Sequence, residues 1–126
     1  MKTQVKTANA PKLIGPFSQA IIAGNHVYIS AQFAQNFATG ELVLDNIEAE
    51  TIQVMDNLKA ILAEAGVDFS NVVKCSIFLK DMQDYTIVNK IYGSYFSEPF
   101  PARETIQVAG LPKNVNIEIS VIAVKN

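Results

Sequence analysis

The chain has 126 residues, a net charge of −2 and a pI near 5.3, so it lacks the broad basic field that holds nucleic acid without regard to sequence. Its 49% hydrophobic and 17% charged residues describe an ordinary globular core, and the length suits one domain over residues 1–126 that buries about two-thirds of its unfolded surface. No apolar run reaches the roughly eighteen residues that span a membrane, the amino end has no secretory apolar core, and a single cysteine fits a reducing compartment, so the expected location is cytoplasmic.

Residues 2–6 can form a short strand, and the loop from Asn9 to Pro16 follows with two prolines and a glycine. Ala20–Ala23 and Val27–Ala31 are apolar runs around Gly24-Asn25-His26, which signals a hairpin. A polar loop from Gln32 to Gly40 carries Phe33 and Phe37. Asp45 or Asn46 can cap a helix whose apolar positions are Ile52, Met55, Leu58, Ile61, Leu62 and Ala65, and Gly66 ends it. Val73, Cys75, Ile77 and Leu79 alternate along a strand. Asp84 is the expected cap of a second helix with Ile87, Val88, Ile91, Tyr92 and Tyr95 as its buried stripe.

Pro99 and Pro101 then forbid helix, β-branched residues favour a strand at about 103–109, Pro112-Lys113-Asn114 supplies a turn, and a last strand covers about 115–124. The helices can cover one face of a mixed sheet. Several strands are apolar on both sides, so the opposite face also needs cover, and self-association provides it.

Metal and nucleophile chemistry fail on counting. One histidine, His26 beside a turn, and one cysteine, Cys75 on an apolar strand face, make neither a zinc site nor a Cys-His pair, and no glycine-rich phosphate loop implies a nucleotide cofactor. Two charges stand out instead. Arg103 is the only arginine beside nine lysines, and Glu118 is the only ionisable residue from Val115 to Val124. They read either as an internal ion pair or two surface charges, or as an anion-binding fork with an acid/base group nearby.

Phe100-Pro101-Ala102-Arg103, Leu111-Pro112-Lys113-Asn114, Ile117-Glu118-Ile119, and Asn9-Ala10-Pro11 leading to Ile14-Gly15-Pro16-Phe17-Ser18-Gln19-Ala20 together resemble the Rid/YjgF family. These are reactive-intermediate (enamine/imine) deaminases, also termed endoribonuclease L-PSP-like. The resemblance implies an α+β, chorismate-mutase-like fold with a six-stranded mixed sheet, two helices on one face, and a homotrimer with small-molecule sites between subunits. It implies hydrolysis of 2-imino acids such as the tautomer of 2-aminoacrylate to 2-keto acids and ammonia, without cofactor or metal. Arg103 would bind the substrate carboxylate and Glu118 would hold or activate the water, while Phe17, Ser30, Ala31, Asn89 and Thr105 would line the pocket. The alternative is a trimer that binds or senses small carboxylates without turnover. Nucleic-acid cleavage, reported for some members, has neither a basic patch nor a stacking platform here.

The chain departs from the family pattern in four places. Phe17 stands where tyrosine is usual, Ala31 where glycine is common, Glu104 where a small residue is favoured, and Thr105 where cysteine is often found. On a regular strand Glu104 points away from Arg103 and leaves its fork free.

Overall fold

Strand pairing organises the computed structural model, which describes residues 1–126. Six strands, β1 (Lys2–Val5), β2 (Ala20–Ala23), β3 (His26–Gln32), β4 (Val72–Leu79), β5 (Ala102–Gln107) and β6 (Ile117–Val124), form one sheet in the order β1-β2-β3-β6-β4-β5. Only β4 and β5 run parallel; every other neighbouring pair is antiparallel. A parallel pair needs a crossover, and helix α2 (Tyr85–Gly93) supplies it. Helix α1 (Ile47–Glu64) joins β3 to β4 and packs over β3 and β6.

Alternation along the strands selects the buried face. Val27 and Ile29 of β3, Cys75, Ile77 and Leu79 of β4, and Ile117, Ile119, Val121 and Ala123 of β6 are buried and join Val54, Met55, Leu58, Ile61 and Leu62 of α1 in one core. The other face carries the exposed apolar residues Tyr28 and Ile106 beside the polar Lys74, Ser76 and Glu104, and no element of the chain covers it. Neither helix is long and apolar enough to cross a membrane.

Helix α1 begins where Asn46, in extended conformation, accepts the Ala49 N–H at 2.8 Å on its side-chain oxygen. It ends before Gly66, whose φ of +81° lies in the left-handed region that closes helices. The expected apolar stripe is buried except for Ile52, which is 44% exposed.

Helix α2 starts differently from expectation. Asp84 makes no capping bond because its own backbone is already helical; it ends a 3-10 turn over Met82–Asp84 that runs directly into α2, and Asp81 caps that turn through the Gln83 N–H at 2.9 Å. Val88 and Tyr92 are buried as expected, whereas Ile87 is exposed. A nine-residue helix on a sheet edge buries only a narrow stripe.

Leu58 is fully buried at the centre of this packing. Leu58→Ala should lower unfolding free energy by about 2–5 kcal/mol, read by chemical denaturation at fixed protein concentration.

Candidate functional site: a held guanidinium and a half-buried carboxylate

Arg103 enters at the start of β5, where the preceding Phe100-Pro101 step keeps the chain extended. Its partner in register on β4 is Cys75, a core residue, so Arg103 shares the face covered by helices. Tyr85 and Asn89, one turn apart on α2, meet it there. Arg103 Nη1 donates to Asn89 Oδ1 at 2.6 Å, and Nη2 donates to the Tyr85 hydroxyl at 2.7 Å. The guanidinium carbon lies 5.0 Å from the Tyr92 ring centroid and 5.6 Å from that of Tyr85, within cation–π range. Asn89, Tyr92, Phe100 and Arg103 border a cavity of about 330 Å³. Thr105 lies two residues on, on the same face, and its hydroxyl is buried without a hydrogen-bond partner.

Glu118 lies on the other side of the sheet. It is in register with Phe78 on β4, whose neighbours Ile77 and Leu79 are buried under the helices, so Glu118 points to the open face. Its carboxyl borders a cavity of about 300 Å³ together with Phe17, Ala31, Phe33 and Lys113. Burial pushes the Glu118 carboxyl above the ordinary carboxylate range, and no cation forms an ion pair with it.

Local geometry explains how this second cavity forms. Between the pairs Ile29–Val121 and Gln32–Ile119, β3 advances three residues while β6 advances two, a bulge that turns Gln32 inward and brings Ala31 to the cavity wall. Gln19, itself buried, ties down the amino-terminal loop by bonding Thr7 N–H at 2.7 Å and the Thr7 and Pro11 carbonyls at 3.1 Å. Phe17, 51% exposed, rides on that loop. Gly15 is required there: its φ is +134°, and an added Cβ would come within 3.1 Å of the Phe17 ring.

Helix α1 braces the cavity from beneath. Asn57 donates to the Phe33 and Gln35 carbonyls at 3.2 and 3.0 Å. The fully buried Glu50 accepts both the backbone and side-chain N–H of Asn116, each at 2.7 Å, two residues before Glu118. The intervening turn places Lys113 and Asn114 at φ of 55° and 58°, uncommon for residues other than glycine, and Lys113 Nζ sits 5.9 Å from the Phe33 ring centroid.

The candidate residues therefore fall into two groups. Arg103, Asn89 and Thr105 gather on the helix-covered face; Glu118, Phe17 and Ala31 gather at the other cavity. An internal Arg103–Glu118 ion pair is not formed. Ser30 lines neither cavity: its hydroxyl donates to the Ser18 carbonyl at 2.6 Å, a bond that satisfies the strand end. Glu104 turns away from Arg103 to accept from Ser76 at 2.6 Å and to pair with Lys74 at 3.5 Å, and these partners, Ser76 first, hold its carboxyl below the ordinary range. No three His, Cys, Asp or Glu side chains converge to hold a metal ion.

Four participants escaped sequence reasoning: Tyr85, Tyr92, Glu50 and Asn57. The spacing of Tyr85, Asn89 and Tyr92, four and then three residues apart, was the available signal for a helix face turned toward one partner.

The family described as Endoribonuclease L-PSP matches residues 7–125. A RutC family protein of Pyrococcus horikoshii is 48% identical over 125 residues, covering 99% of each chain. The 2-iminobutanoate/2-iminopropanoate deaminase of Bos taurus is 45% identical over 121 residues, covering 96% of this chain and 88% of its own. The crystal structure of the YjgF gene product from E. coli superposes with a TM-score of 0.93 at 41% identity, covering 98% of this chain and 99% of that one. On sequence and fold together, the chain belongs to the Rid/YjgF/L-PSP family.

Proposed function

We propose that this protein hydrolyses reactive 2-imino acids and their enamine tautomers, such as 2-aminoacrylate, to 2-keto acids and ammonia, as a homotrimer with sites between subunits. The observation that carries the reading is the division of the two charges. Arg103 is oriented on the helix-covered face at the edge strand, while Glu118 opens on the opposite face. One copy would contribute the guanidinium and a neighbouring copy the carboxylate. The exposed apolar residues of the open sheet face give such a neighbour something to bury. The deaminase name of the bovine relative supports the same chemistry.

In this mechanism the substrate carboxylate binds the Arg103 fork in a bidentate, charge-assisted contact worth about 1.5–3 kcal/mol. The imine carbon then faces Glu118 of the neighbouring copy. Ionised Glu118 accepts a proton from water as the water oxygen bonds to C2 and the C=N π electrons move to nitrogen. Glu118 returns that proton to nitrogen to give the neutral carbinolamine, then takes the hydroxyl proton and passes it to the amino group as the C=O bond forms and the C–N bond breaks, releasing the 2-keto acid and ammonia. A proton group of this kind works best when its pKa lies closer to neutrality than that of a free glutamate, about 4.3, and burial moves Glu118 in that direction. The substrate is already reactive, so positioning and water presentation supply the rate.

Arg103→Lys retains charge but loses the planar fork. The expected result is a folded protein whose affinity for 2-oxobutanoate falls about ten- to hundredfold, measured by calorimetry, with ammonia release from 2-aminoacrylate generated in place falling accordingly. Unchanged binding would remove Arg103 from the site. Preserved, Arg103-dependent binding without any acceleration by the wild type would instead identify a carboxylate-binding trimer.

Glu118→Gln should abolish turnover and spare 2-oxobutanoate binding. It should also alter the pH dependence of stability. A raised carboxyl pKa means the folded state binds its proton more tightly than the unfolded state, so the wild type loses stability as pH rises from about 4.3 through the raised value. The variant lacks that loss. Its stability relative to wild type should grow between acidic and neutral pH in denaturant titrations, and a constant difference would contradict the burial of this carboxyl.

A further inference from the structure

Arg103 rests on three side chains of α2, and Tyr85 is the one whose contribution a single atom can test. Its hydroxyl accepts from Nη2 at 2.7 Å, while Asn89 accepts from Nη1 at 2.6 Å. One acceptor alone would leave the guanidinium free to swing about that bond. Two acceptors on different nitrogens, with the Tyr92 ring 5.0 Å from the guanidinium carbon, fix both the plane and its rotation. Arginine has five N–H groups, so two are committed to α2 and three are left for an incoming anion.

We propose that Tyr85 is a positioning residue for carboxylate recognition: its hydroxyl sets the rotation of the Arg103 fork so that the uncommitted N–H groups meet the ligand in bidentate geometry. The proposal rests on Arg103 being the carboxylate anchor, as set out above. Tyr85 is 37% exposed, and its hydroxyl makes no hydrogen bond except the one to Arg103. The hydroxyl thus has no other hydrogen-bonding role. Position 85 also lies on the first turn of α2, directly after the 3-10 turn, where the backbone is held independently by the Asp81 cap. A ring without a hydroxyl would leave the helix and the cation–π wall in place and release only the rotation of the fork.

Tyr85→Phe is therefore the discriminating variant, compared with wild type and Arg103→Ala by calorimetric titration of 2-oxobutanoate. Tyr85→Phe should bind about three- to tenfold more weakly, with its thermal unfolding midpoint unchanged, and Arg103→Ala should bind more weakly still. In turnover assays the KM of the imino acid should rise by the same factor while kcat stays within about twofold, the signature of lost pre-orientation for ground and transition state alike. Wild-type affinity in Tyr85→Phe, with binding lost in Arg103→Ala, would overturn the role of Tyr85 and leave the anchor intact. A weakened Tyr85→Phe with a lowered unfolding midpoint or a kcat that falls as far as KM rises would show a structural role instead. Unchanged binding in Arg103→Ala would overturn the anchor, and the Tyr85 proposal with it.

Discussion

The two-residue alternation of the sheet, with helices covering one side only, is the constraint on which everything else depends. It decides that Ile77, Ile119 and Leu79 are core while Tyr28 and Ile106 are exposed. It also decides that Arg103, in register with Cys75, belongs to the helix side and that Glu118, in register with Phe78, belongs to the open side. A slip of one residue in β5 would exchange Arg103 for Glu104. The parallel register of β5 on β4 keeps Arg103 on the helix side, where Asn89 and Tyr85 of α2 meet the guanidinium.

Helix α1 links this scaffold to the second cavity. Most of its inward residues are apolar, but Glu50 and Asn57 are polar, buried and fully engaged, one holding Asn116 at the start of β6 and the other holding the loop that carries Phe33. An unpartnered buried carboxylate would be costly, so these bonds are required once the residues are there. Their effect is to tie the strand entry before Glu118 and the loop at the cavity wall to helix α1. The Arg103 guanidinium is held by the same logic, with α2 supplying two acceptors for it. Under the proposed function, such preorganisation of both halves reduces the ordering that binding requires.

Much of this was legible in the residues. Asn46, Gly66, the Gly24-Asn25 hairpin and the apolar repeats of α1 and β4 each act over a few residues, and the structure follows them. Asp84 was misread because the local rule for a cap cannot see that an earlier aspartate, Asp81, has already started the turn. The bond of the Ser30 hydroxyl to the Ser18 carbonyl was not legible, because it is made beside a bulge that depends on β6, ninety residues away, rather than on its own sequence. The prominence of Arg103 and Glu118 was visible from composition alone. Their placement on opposite faces was not, since it follows from the register of β4 with two strands that arrive much later in the chain.

The proposed division of the site between copies can be tested directly by mixing. Arg103→Ala and Glu118→Gln subunits, each inactive alone, are co-expressed and the mixed oligomers assayed for ammonia release from 2-aminoacrylate beside the wild type. If each site takes its guanidinium from one copy and its carboxylate from the next around a closed ring of three, random mixing should restore about a quarter of the wild-type rate. An active wild type with no recovery in the mixed oligomers would show that both groups act from the same chain and would contradict the account.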